Sequence, residues 1–191
     1  MSPKRKPAHR KSLVKNEFDV DLTVLGNRQI FLFEEVTQAL AKKIIKQLYA
    51  LDTLNHNPIM LYINSEGGNC ACGLAIINAM RTIESPVVTI ITGEASSIAA
   101  HISVSGNKRV AYADGVWFEH SLDTYFEGNA AKLNNHNDFI KKYKKLLNDN
   151  LRLYTNLTEL DIKKIDIEDM YLYAEEMLDI GIVDEILPYG K

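Results

Sequence analysis

Apolar positions along the chain fall into short runs and staggered stripes that take turns from about residue 18 to residue 187. Phe18–Val24 alternates apolar with polar residues and Gln29–Phe33 is rich in β-formers, so both predict strands. Over residues 34–51, Val36, Leu40, Ile44, Leu48 and Leu51 recur every three or four positions, opposite a polar face carrying Lys42, Lys43 and Lys46. That stripe predicts a helix laid on a sheet. A short apolar run at Ile59–Ile63, a glycine turn at 64–68, a helical stretch at 70–83 and a second apolar run at Val87–Ile91 then form a βαβ unit. Both runs are β-branched and do not alternate, which predicts parallel strands covered on both faces and joined by a right-handed crossover.

Gly93 is expected to end the second strand, with a helix of small residues from Ser97 to Ser105 and strands at Arg109–Ala113 and Val116–His120 around the Asp114-Gly115 turn. Residues 129–154 predict a long helix whose apolar stripe is thin, because Lys, Asn and Asp dominate it. A helix projecting onto another subunit and a surface helix on its own domain fit that periodicity equally well. Thr158 followed by Glu159 and Asp161 marks an N-terminus, Gly181 stops a helix over 174–180, and Ile182–Leu187 predicts a last strand. Trp117 lies three residues before His120 on one strand and therefore on the opposite face, where a core position is expected. The pattern describes an α/β domain over 18–187, between a flexible basic arm at 1–17 and a short tail at 188–191.

Composition narrows the function classes. With 191 residues, 46% hydrophobic and 25% charged, the chain can bury a core without metals or disulfides. Its two cysteines, Cys70 and Cys72, are too close together to staple distant segments, and a Cys-x-Cys pair without a second ligand pair does not make a zinc site. They are expected to be packing residues in a reducing, cytoplasmic setting. No apolar run reaches the roughly 18 residues of a membrane span, and no secretory signal opens the chain. Six of the 22 basic residues lie in residues 1–16, so the rest of the chain has 16 against 25 acidic ones. An acidic body of that kind argues against a nucleic-acid-binding face.

Nine serines, five histidines and twelve aspartates select no catalytic set by identity alone, so position must do it. In α/β folds reactive groups belong where strands end and helices begin, because backbone N–H groups are unpaired there. Two segments qualify. Asn64-Ser65-Glu66-Gly67-Gly68 follows a strand and has the paired glycines that let an N–H face outward, although a plain tight turn needs no more than that. Gly93-Glu94-Ala95-Ser96-Ser97-Ile98 places two serines at a helix start, where each suits either a nucleophile or an ordinary N-cap. His120, at a strand end, is the best-directed base, while His101 is four residues after Ser97 and is expected to point along the helix. Asp169, where a loop meets ordered chain, is a candidate orienting acid.

In order and spacing, Tyr62-Ile-Asn-Ser-Glu-Gly-Gly68, Gly93-Glu-Ala-Ser-Ser-Ile98, His120 and the segment from Asp169 to Ile186 resemble the Clp-type serine peptidases, the ClpP family, over about residues 18–187. The resemblance implies a ClpP/crotonase-type ββα spiral with a protruding handle helix. It implies Ser97 as nucleophile, His120 as general base and Asp169 as the acid that orients it, with the N–H groups of Gly68 and Ile98 as the oxyanion hole. It further implies a homo-oligomeric heptameric ring, in some arrangements a double ring, whose chamber admits unfolded chains or short peptides. An AAA+ unfoldase would feed it and use the ATP. No cofactor is implied for this chain, which has no Gly-x-x-x-x-Gly-Lys-Ser/Thr loop.

The sequence also departs from that family. Glu66 stands where proline is usual, Ser121-Leu122 where Gln-Pro is usual, His101 where small or apolar residues are usual, and Ile167-Glu168 where an acid and an arginine are usual. The basic arm replaces an apolar N-terminal hairpin. These departures would suit a divergent phage or accessory relative. They frame the alternative of a catalytically silent ring subunit with an assembly or regulatory role; a crotonase-like acyl-CoA enzyme shares the fold but needs no triad.

Overall fold

Parallel pairing of short apolar strands organises the chain. The computed structural model describes residues 17–122, 127 and 129–188, so the basic arm over 1–16 and the last three residues of the tail lie outside the described residues. In chain order the elements are α1 (Glu17–Gly26), β1 (Gln29–Leu32), α2 (Gln38–Leu54), β2 (Ile59–Ser65), α3 (Cys70–Thr82), β3 (Val87–Ser96) and α4 (Ile98–Val104). They continue with β4 (Lys108–Tyr112), β5 (Val116–Glu119), α5 (Ala130–Tyr154), α6 (Glu159–Ile165), β6 (Met170–Tyr173), α7 (Ala174–Asp179) and β7 (Glu185–Leu187).

Four parallel pairings give the order β1-β2-β3-β4-β7, while β5 pairs in parallel with the far end of β3 and antiparallel with β6. β3 therefore serves two layers. Val88–Ile91 pairs with Lys108–Ala111 of β4, and Glu94–Ser96 pairs with Val116–Phe118 of β5. Between these halves its register with β2 slips, from Ile63↔Ile91 to Ser65↔Ala95. The slip is held by Asn64, whose Oδ1 accepts the Glu94 N–H at 3.1 Å, and by Thr92, whose hydroxyl donates to Ile63 O at 3.0 Å. A Cβ on Gly93 would lie 2.3 Å from Asn64 Oδ1, so a larger residue there would displace the Asn64 amide from the Glu94 N–H.

Three expectations change. Gly93 bends β3 rather than ending it, because the backbone beyond it finds a new partner in β5. Residues 18–24 lie in α1, not in a strand: the helix satisfies its backbone locally and needs only Leu25 against the core, leaving Val20 and Leu22 exposed. Of the two strands expected to be covered on both faces, β3 buries Val87, Thr89, Ile90 and Ile91 and leaves Val88 half-buried, whereas β2 is more open on one face. In β2, Ile59, Leu61, Ile63 and Ser65 are buried while Met60 and Tyr62 are half-buried, and Phe31 on β1 and Phe33 just after it are exposed. Tyr62 and Phe31 stack at 5.1 Å on that open face.

The closed face carries the core. The α2 stripe of Leu40, Ile44, Leu48 and Leu51 is buried with Ile76, Ile77 and Met80 of α3. α4 is buried along its whole length between α3 and β3, which its small residues permit. Helix α5 reaches this body only near its C-terminal end, where Leu147, Asn150 and Leu151 are buried. Leu133, Phe139 and Leu146 remain 41%, 57% and 56% exposed, which favours a projecting helix.

Arg109 on β4 locks the C-terminal segment. Its guanidinium donates to Gly181 O at 2.7 Å, to Tyr154 O, and to both carboxylate oxygens of Asp184. Gly181 turns there with φ 69°, a conformation that favours glycine. Arg109→Met leaves two carbonyls and a carboxylate without their donor and should cost roughly 2–3 kcal/mol. A thermal scan should register a fall of roughly 5–10 °C.

Candidate active site

Ser97 sits between β3 and α4 with φ 54° and ψ −125°, a conformation that costs a non-glycine residue about 1–3 kcal/mol. The fold holds it there from both sides: its N–H donates to Phe118 O at 2.9 Å, and its carbonyl accepts the Ala100 N–H at 2.9 Å. Its side chain makes no capping bond, whereas the Ser96 hydroxyl donates to Glu94 Oε2 at 3.2 Å. Of the two serines weighed as caps or nucleophiles, Ser97 is the one with a half-buried hydroxyl facing a cavity.

The glycine turn lies against this strained residue. Gly67 and Gly68 have φ 95° and 138°. A Cβ on Gly67 would approach Ser96 O to 2.6 Å and Ser97 Cβ to 2.8 Å, so the turn and the serine can meet only through a bare α-carbon. Ser65 braces the turn: its hydroxyl donates to Glu34 O at 2.7 Å and accepts the Gly67 N–H at 3.1 Å. Val36 uses Gly67 O and the Asn69 N–H, which leaves the Gly68 N–H directed away from Val36. Ile98 is the first residue of α4, so its N–H has no acceptor within the helix. Gly68, Ser97 and Ile98 all line one cavity of about 270 Å³.

His120 lines the same cavity and a neighbouring one of about 370 Å³, which Asp169 also lines. Asp169 does not line the Ser97 cavity; His120, Ser121 and Ile165 line both. Strand register explains the placement. β5 and β6 pair Phe118 with Tyr171 and Glu119 with Met170, so His120 follows the last paired residue of β5 and Asp169 precedes the first of β6. The His120 ring lies 5.4 Å from Phe118 at 14°, and Phe118 lies 4.3 Å from Tyr171 at 23°, a stack that fixes the plane of the imidazole. Trp117, on the other face, is fully buried as the alternation predicts.

Residues 14–189 match the family model described as Clp protease. The chain belongs to the Clp protease family. Its mixed α/β architecture agrees with the ClpP-type fold expected from the motifs. Membership brings a general peptidase character, and among the described residues no helix is long and apolar enough to cross a membrane.

Within this Clp protease site the sequence reading overlooked a buried polar pair. His101 does not simply run along its helix: Nε2 lies 3.3 Å from Glu119 Oε2 and Nδ1 lies 3.0 Å from Asn150 Oδ1. His101 is 2% and Glu119 6% exposed. Burial alone would drive the His101 pKa down, but the Glu119 charge and the bonds to Glu119 and Asn150 outweigh it and hold it above the ordinary value. Cys70, on the cavity wall, is raised by burial and then by Glu119, so it stays a thiol. The available signal was an ionisable residue at two positions of apolar elements, one turn after Ser97 and one residue before His120.

Gly67→Ala should be the most damaging small change in the site, because a positive φ and a 2.6 Å clash with backbone coincide there. A loss of more than about 2 kcal/mol is expected in chemical denaturation.

Proposed function

We propose that this protein is a serine endopeptidase that hydrolyses peptide bonds of unfolded proteins or short peptides, with Ser97, His120 and Asp169 as its triad. What supports the reading is that a strained Ser97 shares a cavity with His120, which lines a second cavity together with Asp169.

Ser97 Oγ attacks the scissile carbonyl carbon while His120 takes the hydroxyl proton. The carbonyl oxygen becomes an oxyanion and accepts hydrogen bonds from the N–H groups of Gly68 and Ile98. Removing one such donor typically costs roughly 10²–10³ in kcat. The tetrahedral intermediate collapses as His120 returns the proton to the leaving amine, and the resulting ester is hydrolysed by a water that His120 deprotonates. Asp169 holds the imidazole in the productive tautomer and stabilises its cationic form.

The chamber belongs to the same proposal. The exposed aromatic face of Phe31, Phe33 and Tyr62 and the exposed leucines of α5 are surfaces that neighbouring copies would cover, in one ring or two. Such enclosure restricts entry to unfolded chains, which an AAA+ unfoldase would deliver in the cytoplasm at the cost of its own ATP.

Treatment with a fluorophosphonate followed by peptide mapping should place the adduct on Ser97 and lose it in Ser97→Ala. Asp169→Asn should lower kcat by roughly 10⁴-fold, read with a fluorogenic peptide. Full hydrolysis by Ser97→Ala would overturn the assignment. An unlabelled but ring-forming wild type would mark a silent subunit. Light scattering should give a mass several times 21.6 kDa.

A further inference from the structure

The buried His101–Glu119 pair is not used by the triad, yet it touches both of its halves. From His101, the backbone N–H reaches Ser97 O at 3.4 Å, one turn back along α4. From Glu119, Oε1 accepts the backbone N–H of His120 at 3.3 Å. Asn150 adds α5 to the same cluster.

The hydrogen-bond chain around His101 dictates its protonation state. Ser105 donates its hydroxyl proton to His101 O at 2.7 Å, so its oxygen is left to accept the Asn150 Nδ2 group at 2.9 Å. That fixes the Asn150 amide with Oδ1 toward His101 Nδ1. An acceptor therefore faces Nδ1 and a carboxylate faces Nε2, and only the doubly protonated ring has a proton for each. A neutral ring would set a lone pair against Asn150 Oδ1 or against Glu119 Oε2, where neither residue is more than 6% exposed. Among the described residues Glu119 Oε2 takes no hydrogen bond of good geometry, so its tie to His101 is chiefly one of charge.

We propose that His101 is a positioning residue for the Ser97–His120 pair: as an imidazolium it clamps α4 to β5 through Glu119 and to α5 through Asn150, and the site stays assembled only while it carries both protons. The inference rests on Ser97 being the nucleophile. It makes the competence of the site depend on a proton that takes no part in the chemistry.

The other groups around the clamp set the background. Cys70 faces it from α3 and remains a thiol; Lys144 of α5 lines the cavity but is engaged with Asp166 at 2.7 Å. Glu66 lines it from the glycine turn and His120 from the end of β5. β3 meets α4 through the Thr89 hydroxyl, which donates to Ser103 O and does not titrate. Because His101 is held above its ordinary value of about 6.5, its stabilisation is complete below that pH and is lost as pH rises through the raised value. Reactivity at Ser97 should thus fall on the alkaline side as the clamp opens.

The test is the second-order rate of fluorophosphonate labelling at Ser97 across pH, in the full-length protein, His101→Gln and Glu119→Gln. Histidine C2–H deuterium exchange, read by mass spectrometry, follows His101 itself. The intact protein should show an alkaline limb that coincides with the His101 exchange curve. In Glu119→Gln that limb should move to lower pH. In His101→Gln it should vanish, with the optimum reduced on the order of ten- to a hundredfold. A His101→Gln protein that labels as fast as wild type, or keeps the alkaline limb, overturns the inference and leaves the nucleophile in place. An exchange curve at or below about pH 6.5 overturns it whatever Ser97 does. If the intact protein is never labelled at Ser97, the nucleophile assignment fails and the positioning role falls with it. Should His101→Gln not fold, Glu119→Gln and the intact protein's two curves decide.

Discussion

β3 is one strand with two sets of neighbours, and the rest of the molecule is arranged around its bend. Its first half is the centre of the parallel sheet; its second half, past Gly93, pairs with β5 in another layer. A chain leaving a sheet normally turns over its edge. Here it leaves through the middle, and the backbone groups freed at the register slip are met by Asn64 and Thr92. Everything reactive collects at the second half: Ser97 at its end, the glycine turn beside it, and β5 handing the histidine back to it. The Phe118 carbonyl that holds Ser97 in place belongs to the strand that ends at His120, so serine and imidazole share a short, stiff path of backbone.

Much of this was legible because it follows from local rules. The α2 stripe, the βαβ order and the Thr158 capping box are periodicity and capping, which a chain carries in itself. The segments around Ser97 and His120 stand out because they lie where strands end, whereas Asp169 is one of several candidate acids and only the resemblance to the Clp-type peptidases singles it out. What escaped was long-range. Nothing near Gly93 announces that a strand partner is waiting about 25 residues downstream, so a glycine that bends a strand was read as one that ends it. Phe18–Val24 alternates as a strand would, and only the tertiary setting of Leu25 shows the alternation to be incidental.

The sheet's open face illustrates a different limit. Unalternating apolar strands imply cover on both sides, but a sequence does not say whether the cover comes from the same chain. Met60 and Tyr62 are expected to be covered but are half-buried in the single chain, while Phe31, Phe33 and, on α5, Leu133, Phe139 and Leu146 are exposed. Polar residues inside the body are hidden for the opposite reason. His101 and Glu119 are 18 residues apart, and each alone looks like a misplaced charge; only contact makes them a pair.

The backbone at Ser97 also has a consequence for how the protein can change. A residue with a side chain is held at φ 54°, in a region where glycine would be at ease. Replacing the serine by glycine would relax that turn and stabilise the fold, and it would remove the hydroxyl proposed as the nucleophile. Improvement of the scaffold and retention of the chemistry pull in opposite directions at this single codon.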